Sequence, residues 1–368
     1  MKKWKSESRL VRDEATGRTL RQVTDAPCIN HHPFFLIPAY DKAQRYLYFV
    51  SHRTGAPQVF AEDRENGTLL QLSDVVSLNE WSVHPYDRFV YYIADGCALR
   101  TDVRSGVTDT LLTPAQAAAL SGSGKINPGN NPLTPGTTAV SADGRWFAIR
   151  LVGPEGYSIL VYDAQKDVWA KEYTGVMVSH MQFCPDDSNL LFFAGPLTDR
   201  VWLLNRSTGQ ARRVYTRNAG AKQWITHESW IPGRRELMLV DWPNGLLAVR
   251  ADTGAVRRIT GSNAWHAICN DAGTMAVADT NFPDRGLLLL DPRRENAPER
   301  TLCRPEASSM GAHWAGPFPY DNGPIPVNAP QHTHPHPRFS PDGRTVVFTS
   351  DKSGTAQIYE IELPAEWL

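Results

Sequence analysis

The sequence feature that most constrains the fold is a repeated unit of two apolar strands joined by a short turn. The clearest copy runs from Arg338 to Asp351, where Pro341-Asp342-Gly343 closes a hairpin before the apolar run Val346-Val347-Phe348. Proline, aspartate and glycine favour the backbone angles of tight turns, and the apolar runs favour strands. Such a hairpin buries too little surface to be stable alone, so copies of it must pack side by side.

Six weaker copies of this turn precede the clearest one, and each is followed by an apolar run. They lie at Ala39-Tyr40-Asp41, Pro85-Tyr86-Asp87, Ala142-Asp143-Gly144, Pro185-Asp186-Asp187, Pro232-Gly233 and Asp271-Ala272-Gly273. Most successive turns are about 40 to 56 residues apart, the length expected for a four-stranded propeller blade. The seven copies therefore predict an all-β fold, a seven-bladed β-propeller that occupies residues 1–368 as a single domain.

The two ends of the repeat array and two insertions depart from the regular spacing. Strand-like segments at 9–11 and 19–24 precede the first hairpin, and the last repeat ends soon after 357–361. We expect the N-terminal segment to supply the outer strand that the final blade lacks, because this closes an open sheet edge. Gly/Pro-rich stretches at 121–136 and 305–330 are expected to form long loops over the propeller, where propellers usually carry specificity.

Charge and composition exclude several classes of function. The 38 basic and 39 acidic residues nearly cancel, so no overall field attracts nucleic acid or an anionic membrane. No stretch approaches the roughly 18 apolar residues of a membrane span, and no apolar run follows the basic N-terminus as in a signal peptide. The five cysteines have no CxxC spacing, as expected for free thiols in a reducing compartment. We therefore expect a cytoplasmic protein without nucleic-acid or membrane partners; its oligomeric state stays open.

Four histidines occupy the same position relative to the turn. His180, His227, His266 and His336 each lie five residues before the first residue of their turn. In a propeller the strand that enters this turn is the innermost one, so these side chains are expected to reach the central channel at similar height. A single histidine there would ordinarily be a hydrogen-bonded polar residue at a strand end. Four of the eleven histidines at one offset instead favour a ring of imidazoles suited to metal binding, proton transfer or both.

The densest group of potential ligands is Gln331-His332-Thr333-His334-Pro335-His336-Pro337. In an extended strand, His334 and His336 point to the same side because successive side chains alternate. Gln331 can return on the preceding loop and offer an amide oxygen. Imidazole suits several divalent metals, so Mn²⁺, Zn²⁺, Fe²⁺ and Ni²⁺ all remain open on ligand type alone.

Four segments of the chain are similar to those of a known family: residues 331–337 with the hairpin behind them, 226–232, 266–279 and 199–202. They resemble the oligogalacturonate lyases, seven-bladed propellers of pectin catabolism, although Ser229 stands in place of the usual aromatic residue. The resemblance implies that Mn²⁺ is held by His266, Gln331, His334 and His336, that His227 is the catalytic base and that Arg200 assists. It further implies a short acidic oligosaccharide, an oligogalacturonide, as the substrate.

The implied reaction is β-elimination, and its chemistry accounts for these residue types. A uronate linked at C4 has its C5 proton next to a carboxylate, so charge that develops on proton removal must be neutralised by a divalent cation and by Arg200. Neutral His227, with an ordinary pKa near 6.5, can accept the proton. Loss of the C4 oxygen then leaves a 4,5-unsaturated uronate. His180, His31 and His32 are expected to lie where they can bind substrate.

Two departures from the family pattern leave the identity of the sugar open. Residues 192–196 read Phe-Phe-Ala-Gly-Pro where the family has Cys-His-Glu-Gly, and 305–307 read Pro-Glu-Ala where a histidine is expected. The leading hypothesis is a lyase of short oligogalacturonides. One alternative is a lyase of the same mechanism for another uronate-containing oligosaccharide. The other is a non-enzymatic propeller of the protein-translocation or scaffold kind, which predicts no bound metal.

Overall fold

Seven antiparallel sheets arranged as a seven-bladed β-propeller make up the chain, as predicted. The computed structural model describes residues 1–121, 138–153, 156–218, 220–221, 223–308 and 331–368. The two loops expected at 121–136 and 305–330 lie almost entirely outside these residues. Within the described ranges, no helix is long and apolar enough to cross a membrane.

The strands follow the repeat that the turns predict. Three strands precede the first blade: β1 (Lys3–Trp4), β2 (Arg9–Arg12) and β3 (Thr19–Gln22). The first blade contains β4 (Asn30–His31), β5 (Tyr46–Ser51), β6 (Gln58–Asp63) and β7 (Thr68–Gln71), and the second contains β8 (His84–Tyr86), β9 (Phe89–Ala94), β10 (Cys97–Asp102) and β11 (Thr108–Leu112). The third blade contains β12 (Ala139–Val140), β13 (Trp146–Gly153), β14 (Gly156–Asp163) and β15 (Val168–Gly175). The fourth contains β16 (Ser179–Cys184), β17 (Asp187–Ala194), β18 (Val201–Asn205) and β19 (Gln210–Tyr215).

The remaining three blades continue the same order. They contain β20 (Trp224–Ile231), β21 (Glu236–Trp242), β22 (Gly245–Arg250), β23 (Val256–Thr260); β24 (Ala264–Cys269), β25 (Ala276–Thr280), β26 (Leu287–Leu290), β27 (Arg300–Cys303); and β28 (Arg338–Phe339), β29 (Thr345–Ser350), β30 (Gln357–Glu362). Helical structure in the described part of the chain is limited to α1 (Pro114–Leu120) and the 3₁₀ turns Glu80–Ser82, Gln331–Thr333 and Ala365–Trp367.

The first strand of every blade lies innermost. From β8 through β12, β16, β20 and β24 to β28, each innermost strand contacts the next one around the central channel. Each of these strands runs toward the turn that the sequence pattern identifies. All seven turns therefore gather at one end of the channel, which we call the turn face.

The ring is closed by the N-terminal segment, as predicted. β3 pairs with β30, with Gln22 opposite Tyr359, and β2 adds a fifth strand outside it. β1 crosses the seam and pairs with β7 of the first blade, a contact that the sequence did not predict. Arg21 of β3 forms ion pairs with the buried carboxylates of Glu62 in the first blade and Glu360 in the seventh. Backbone pairing and buried charges thus both hold the closing seam.

Apolar side chains fill the seams between neighbouring blades. The described residues contain seven buried clusters, one for each seam. Phe49 and Val347, for example, pack between the first and seventh blades. Because every blade buries both faces against its neighbours, the whole ring forms one continuous series of contacts.

A short segment after β4 leaves the sheet and crosses the channel. Phe34 comes from the first blade, yet its ring contacts Trp81 of the second blade, His180 of the fourth and His336 of the seventh. One side chain can reach all three blades only from inside the ring. We call residues 33–38 the channel plug.

Candidate metal centre

Three of the four equivalent histidines lie at interruptions in the innermost strands. The pairing of β16 with β17 skips His180, that of β20 with β21 skips His227, and that of β24 with β25 skips His266. Such bulges re-aim a side chain and are common beside active sites. His180, His227 and His336 also have positive φ angles of 44°, 47° and 45°. This left-handed conformation is uncommon outside glycine and persists only where the surroundings impose it, so the fold holds these rings in defined positions.

His266, His334 and His336 form a buried cluster whose ligand atoms all lie within 4.8 Å of one another. The centroids of the His266 and His336 rings are 4.2 Å apart, and those of His334 and His336 are 5.5 Å apart. The buried Nε2 atoms of His266 and His336 have no hydrogen-bond partner among the described residues. Leaving buried polar atoms without partners costs free energy, and three convergent imidazoles are typical ligands of divalent transition metals. The cluster therefore fits a metal ion.

Asp279 of β25 orients this cluster from behind. Its fully buried carboxylate accepts hydrogen bonds from the backbone N–H of His266 at 2.7 Å and from its Nδ1–H at 2.8 Å. It also accepts one from the backbone N–H of His336 at 3.3 Å. A carboxylate of this kind fixes the proton on Nδ1 and leaves the Nε2 lone pair for a metal. Sequence reasoning assigned Asp279 no role; its one signal was its place on the strand after His266.

His32 supports the backbone of His336 from the first blade. Its Nε2–H donates to the His336 carbonyl oxygen at 2.7 Å, and its Nδ1 lies 2.7 Å from the Thr349 hydroxyl. Burial lowers the pKa of His32 to about 3, so the ring is neutral. Since both ring nitrogens have partners within the protein, these contacts position His336; substrate binding by His32 stays a prediction.

His227 lies beside the cluster, with its ring centroid 4.1 Å from that of His266. Its Nδ1 is 2.5 Å from the Trp265 carbonyl oxygen, which can only accept a hydrogen bond, so Nδ1 carries a proton. In the neutral ring Nε2 then has the lone pair. Burial, together with nearby His266, His180 and Arg200, lowers the pKa of His227 well below 6.5. The side chain is therefore an unprotonated base at neutral pH.

Arg200 lies just before β18 and is held from two sides. Its Nε–H donates to Oε1 of Glu228 at 2.7 Å, and its Nη2–H donates to Nδ1 of His180 at 2.5 Å. Glu228 is fully buried, which raises the pKa of its carboxyl, while Arg200 opposes this shift. The His180 ring in turn lies 6.0 Å from the His227 ring. Sequence reasoning gave Glu228 no role, although it directly follows His227.

The channel plug covers one side of the histidines with apolar surface. Phe34 stacks on His180 with centroids 5.4 Å apart and meets His336 edge-on at 5.1 Å. Phe35 lies 5.1 Å from the His266 ring and 5.7 Å from the His227 ring. This wall keeps the imidazoles in surroundings of low polarity, the condition that disfavours their charged forms.

The other predicted residues lie at the edge of this centre. His31 stacks on Trp81 at 4.9 Å, and its Nε2 lies 2.9 Å from Oε2 of Glu80. The Trp81 ring is 6.1 Å from the His336 ring, so His31 lies behind it rather than in the cluster. Gln331 begins a 3₁₀ turn, but its side chain is outside the described part of the chain. Its role as a ligand stays a prediction.

Comparison with known proteins gives partial sequence matches. No family model matches the chain. The chain is 28% identical over 204 residues to the oligogalacturonate lyase of Dickeya dadantii, and these residues make up 51% of this chain and 50% of that protein. It is 25% identical over 244 residues to the oligogalacturonide lyase of Pectobacterium atrosepticum, which is 60% of this chain and 55% of that protein. The chain thus spans about half the length of the curated relatives it matches.

Two solved structures match over the whole chain. An oligogalacturonate lyase in complex with manganese superposes with a TM-score of 0.80 at 19% identity, covering 100% of this chain and 99% of that one. An oligogalacturonate lyase from Vibrio parahaemolyticus superposes with a TM-score of 0.77 at 17% identity and the same coverage. At these identities the matches establish the fold. The predicted resemblance is therefore confirmed: this chain is similar to the oligogalacturonate lyases in part of its sequence and throughout its fold.

Proposed function

We propose that this protein is a metal-dependent lyase that cleaves short oligogalacturonides by β-elimination and leaves 4,5-unsaturated uronate products. The observation that carries the proposal is the buried cluster of His266, His334 and His336 with the unprotonated base His227 beside it. The relatives named oligogalacturonate and oligogalacturonide lyase support the substrate class. The structural neighbour in complex with manganese supports the choice of metal.

His266, His334 and His336 would hold the metal, with Gln331 as a fourth ligand. The buried Nε2 atoms of His266 and His336 support this assignment. Mn²⁺ is our first candidate, and other divalent transition metals suit imidazole ligands as well. When bound, the cation neutralises negative charge that develops on the uronate carboxylate.

His227 takes the proton from C5 of the uronate. Because its Nδ1–H is engaged by the Trp265 carbonyl oxygen, Nε2 is the accepting atom. The C5–H electron pair becomes the C4=C5 double bond as the C4–O bond breaks. The departing oxygen keeps the electron pair of that bond and takes up one proton to become a hydroxyl group of the other sugar, which balances the proton removed from C5. No water is consumed, and the new sugar end is an unsaturated uronate.

Arg200 orients the uronate carboxylate. Its Nε and Nη2 are engaged by Glu228 and His180, which leaves Nη1 to donate a charge-assisted hydrogen bond to the substrate. The same bond strengthens as negative charge grows on the carboxylate, so Arg200 also stabilises the transition state. Glu228 and His180 act through Arg200 by holding its guanidinium in place.

A lyase of the same mechanism for another uronate is the second candidate. Phe192 and Phe193 occupy the segment where the resemblance leads us to expect a polar histidine-containing stretch, and both side chains are fully buried in the fourth blade. This segment therefore offers no polar side chain from these two positions to a sugar. The difference bears on the sugar and leaves the proposed base and metal ligands unchanged.

The test combines a lyase assay with metal analysis of matched histidine variants. Digalacturonate and other uronate disaccharides are incubated with the protein, and absorbance of the unsaturated product is followed. We expect His334→Ala to lose both metal and activity. We expect His227→Ala to keep the metal and lose roughly 10²–10⁴-fold in rate, the contribution of a positioned general base.

His84→Gln is the matched control. His84 is buried in the second blade, away from the cluster, where its Nε2 accepts a hydrogen bond from the Val140 backbone. Its substitution should leave metal content and rate unchanged. Activity in demonstrably metal-free His334→Ala protein would contradict the mechanism, and absence of product from every uronate tested would contradict the lyase assignment.

A further inference from the structure

A cavity lies at the turn face, on the other side of the channel plug from the histidine centre. Its volume is about 410 Å³, within the range of small-molecule sites, and all seven blades contribute to its lining. Phe34 and Phe35 of the plug contact the histidines of the metal centre, whereas Leu36 lines this cavity. The plug therefore lies between the histidine centre and this cavity, which we call the turn-face cavity.

Arg338 lines the turn-face cavity without a counter-ion. It is partly buried at the start of β28, and its Nη1–H donates to the Phe35 carbonyl oxygen at 3.2 Å. No carboxylate in the described ranges forms an ion pair with it, and Asp271 acts on it only at longer range. A guanidinium has five N–H donors in a planar fork that matches a carboxylate. This side chain thus has donors to spare for an anionic group.

Carboxylates outnumber cations at the mouth of the cavity. Asp87, Asp186 and Asp271 come from the turns of three different blades, and Lys42, which donates to the Tyr86 hydroxyl and the Ala142 carbonyl oxygen, is the one cation beside them among the described lining residues. The three aspartates do not belong to any group in the described chain whose ligand atoms lie close enough together to hold a metal. Separate carboxylates accept hydrogen bonds from hydroxyl groups. The cavity therefore combines an interior cation with hydroxyl acceptors at its rim.

We propose that the turn-face cavity binds a small polyhydroxylated monocarboxylate, such as a free sugar acid, with its carboxylate on Arg338. The hydroxyl groups would face the rim aspartates. A neutral sugar would leave the Arg338 charge uncompensated, and a more highly charged anion would be repelled by the three carboxylates, which outnumber Lys42 in the lining. The proposal does not rest on the lyase activity, because it concerns a different place in the fold and different residues.

The test is calorimetric titration of the manganese-saturated 368-residue chain with D-galacturonate and, as the neutral match, D-galactose. Arg338→Met and Arg200→Met, which remove one guanidinium each, distinguish the turn-face cavity from the histidine centre. We expect Arg200→Met to retain a galacturonate binding event that Arg338→Met weakens roughly 10- to 100-fold, the usual effect of losing a charged hydrogen-bond pair. Galactose should lack this event, and Arg338→Lys should retain part of it.

The folding of Arg338→Met is monitored by circular dichroism, and a second variant tests the proposal if Arg338→Met does not fold. Val140→Trp fills the cavity from β12 without changing Arg338, and it should abolish the same binding event. Equal affinity for galacturonate and galactose would overturn the proposal. So would a binding event that is retained in Arg200→Met and keeps its affinity in Arg338→Met and Val140→Trp, or the loss of all galacturonate binding in Arg200→Met.

Discussion

Replacing Asp279 by asparagine tests whether the histidine cluster is a metal site held by its surroundings. The carboxylate receives three N–H groups, two from His266 and one from the backbone of His336. Asparagine is nearly the same size, so packing in β25 is preserved. Its amide oxygen can still accept from the His266 backbone, but its NH₂ group would then face the other two donors. The substitution therefore removes the acceptor of the His266 ring and of the His336 backbone N–H without opening a cavity.

The expected loss can be estimated from these contacts. Removing a group that orients a metal-bound histidine costs roughly 10- to 100-fold in metal affinity, which corresponds to about 1.4 to 2.7 kcal/mol. Asp279 accepts two hydrogen bonds from His266 and one from His336. We therefore expect the loss of metal affinity to lie in the upper half of this range. If the His266 ring changes tautomer to satisfy the amide, its Nε2 becomes protonated and must lose that proton before it can bind.

The measurement is competition for Mn²⁺ or Zn²⁺ between the protein and a chelating indicator. Asp291→Asn is the matched control, because Asp291 belongs to the same blade but pairs with Arg293 away from the centre. We expect wild-type affinity in this control and roughly 30- to 100-fold weaker binding in Asp279→Asn. Equal metal affinity in wild type and Asp279→Asn would refute the reasoning that this carboxylate sets the ligand geometry.

Three further predictions concern pH and buried charge. Burial lowers the pKa of His84 to about 3, so between pH 6.5 and 3 the unfolded chain is protonated at His84 while the folded chain is not, and the free energy of unfolding falls as pH falls, by up to ~1.4 kcal/mol per pH unit. In urea unfolding, the free energy of His84→Gln should depend less steeply on pH over this window. An unchanged pH dependence would contradict the prediction. Because the pKa of His227 is lowered, the acidic limb of kcat/KM for digalacturonate should lie below pH 6.5; a limb at or above that value would exclude His227 as the base in this environment. Glu228→Ala should destabilise the fold by roughly 3–5 kcal/mol, since it leaves Arg200 as an unpaired buried charge. Glu228→Gln should cost less, because its amide oxygen can still accept a hydrogen bond from Arg200. Equal losses of unfolding free energy in urea would show that this hydrogen bond does not contribute to stability.

Periodicity was enough to predict the strands that face the channel, because each turn restarts the same pattern. The offset of five residues identified His180, His227 and His266, although their hairpins differ in length. The hairpins close through two unpaired residues after Cys184, four after Ile231 and six after Cys269. Counting back from the start of the turn avoids this variation. The bulges themselves, which aim the rings into the channel, have no comparable sequence signal.

The groups behind the ligands were harder to predict, because they depend on which elements become neighbours only after the ring closes. Asp279 meets His336 across a blade boundary, and His32 reaches the same histidine from the first blade. These two contacts span 57 and 304 residues of sequence. The N-terminal strands that close the ring thus also bring His32 and the channel plug to the seventh blade. Ring closure and the positioning of the histidine centre therefore depend on the same N-terminal segment, and a substitution that opens the seam at Arg21 should weaken metal binding at the proposed site as well as the stability of the fold.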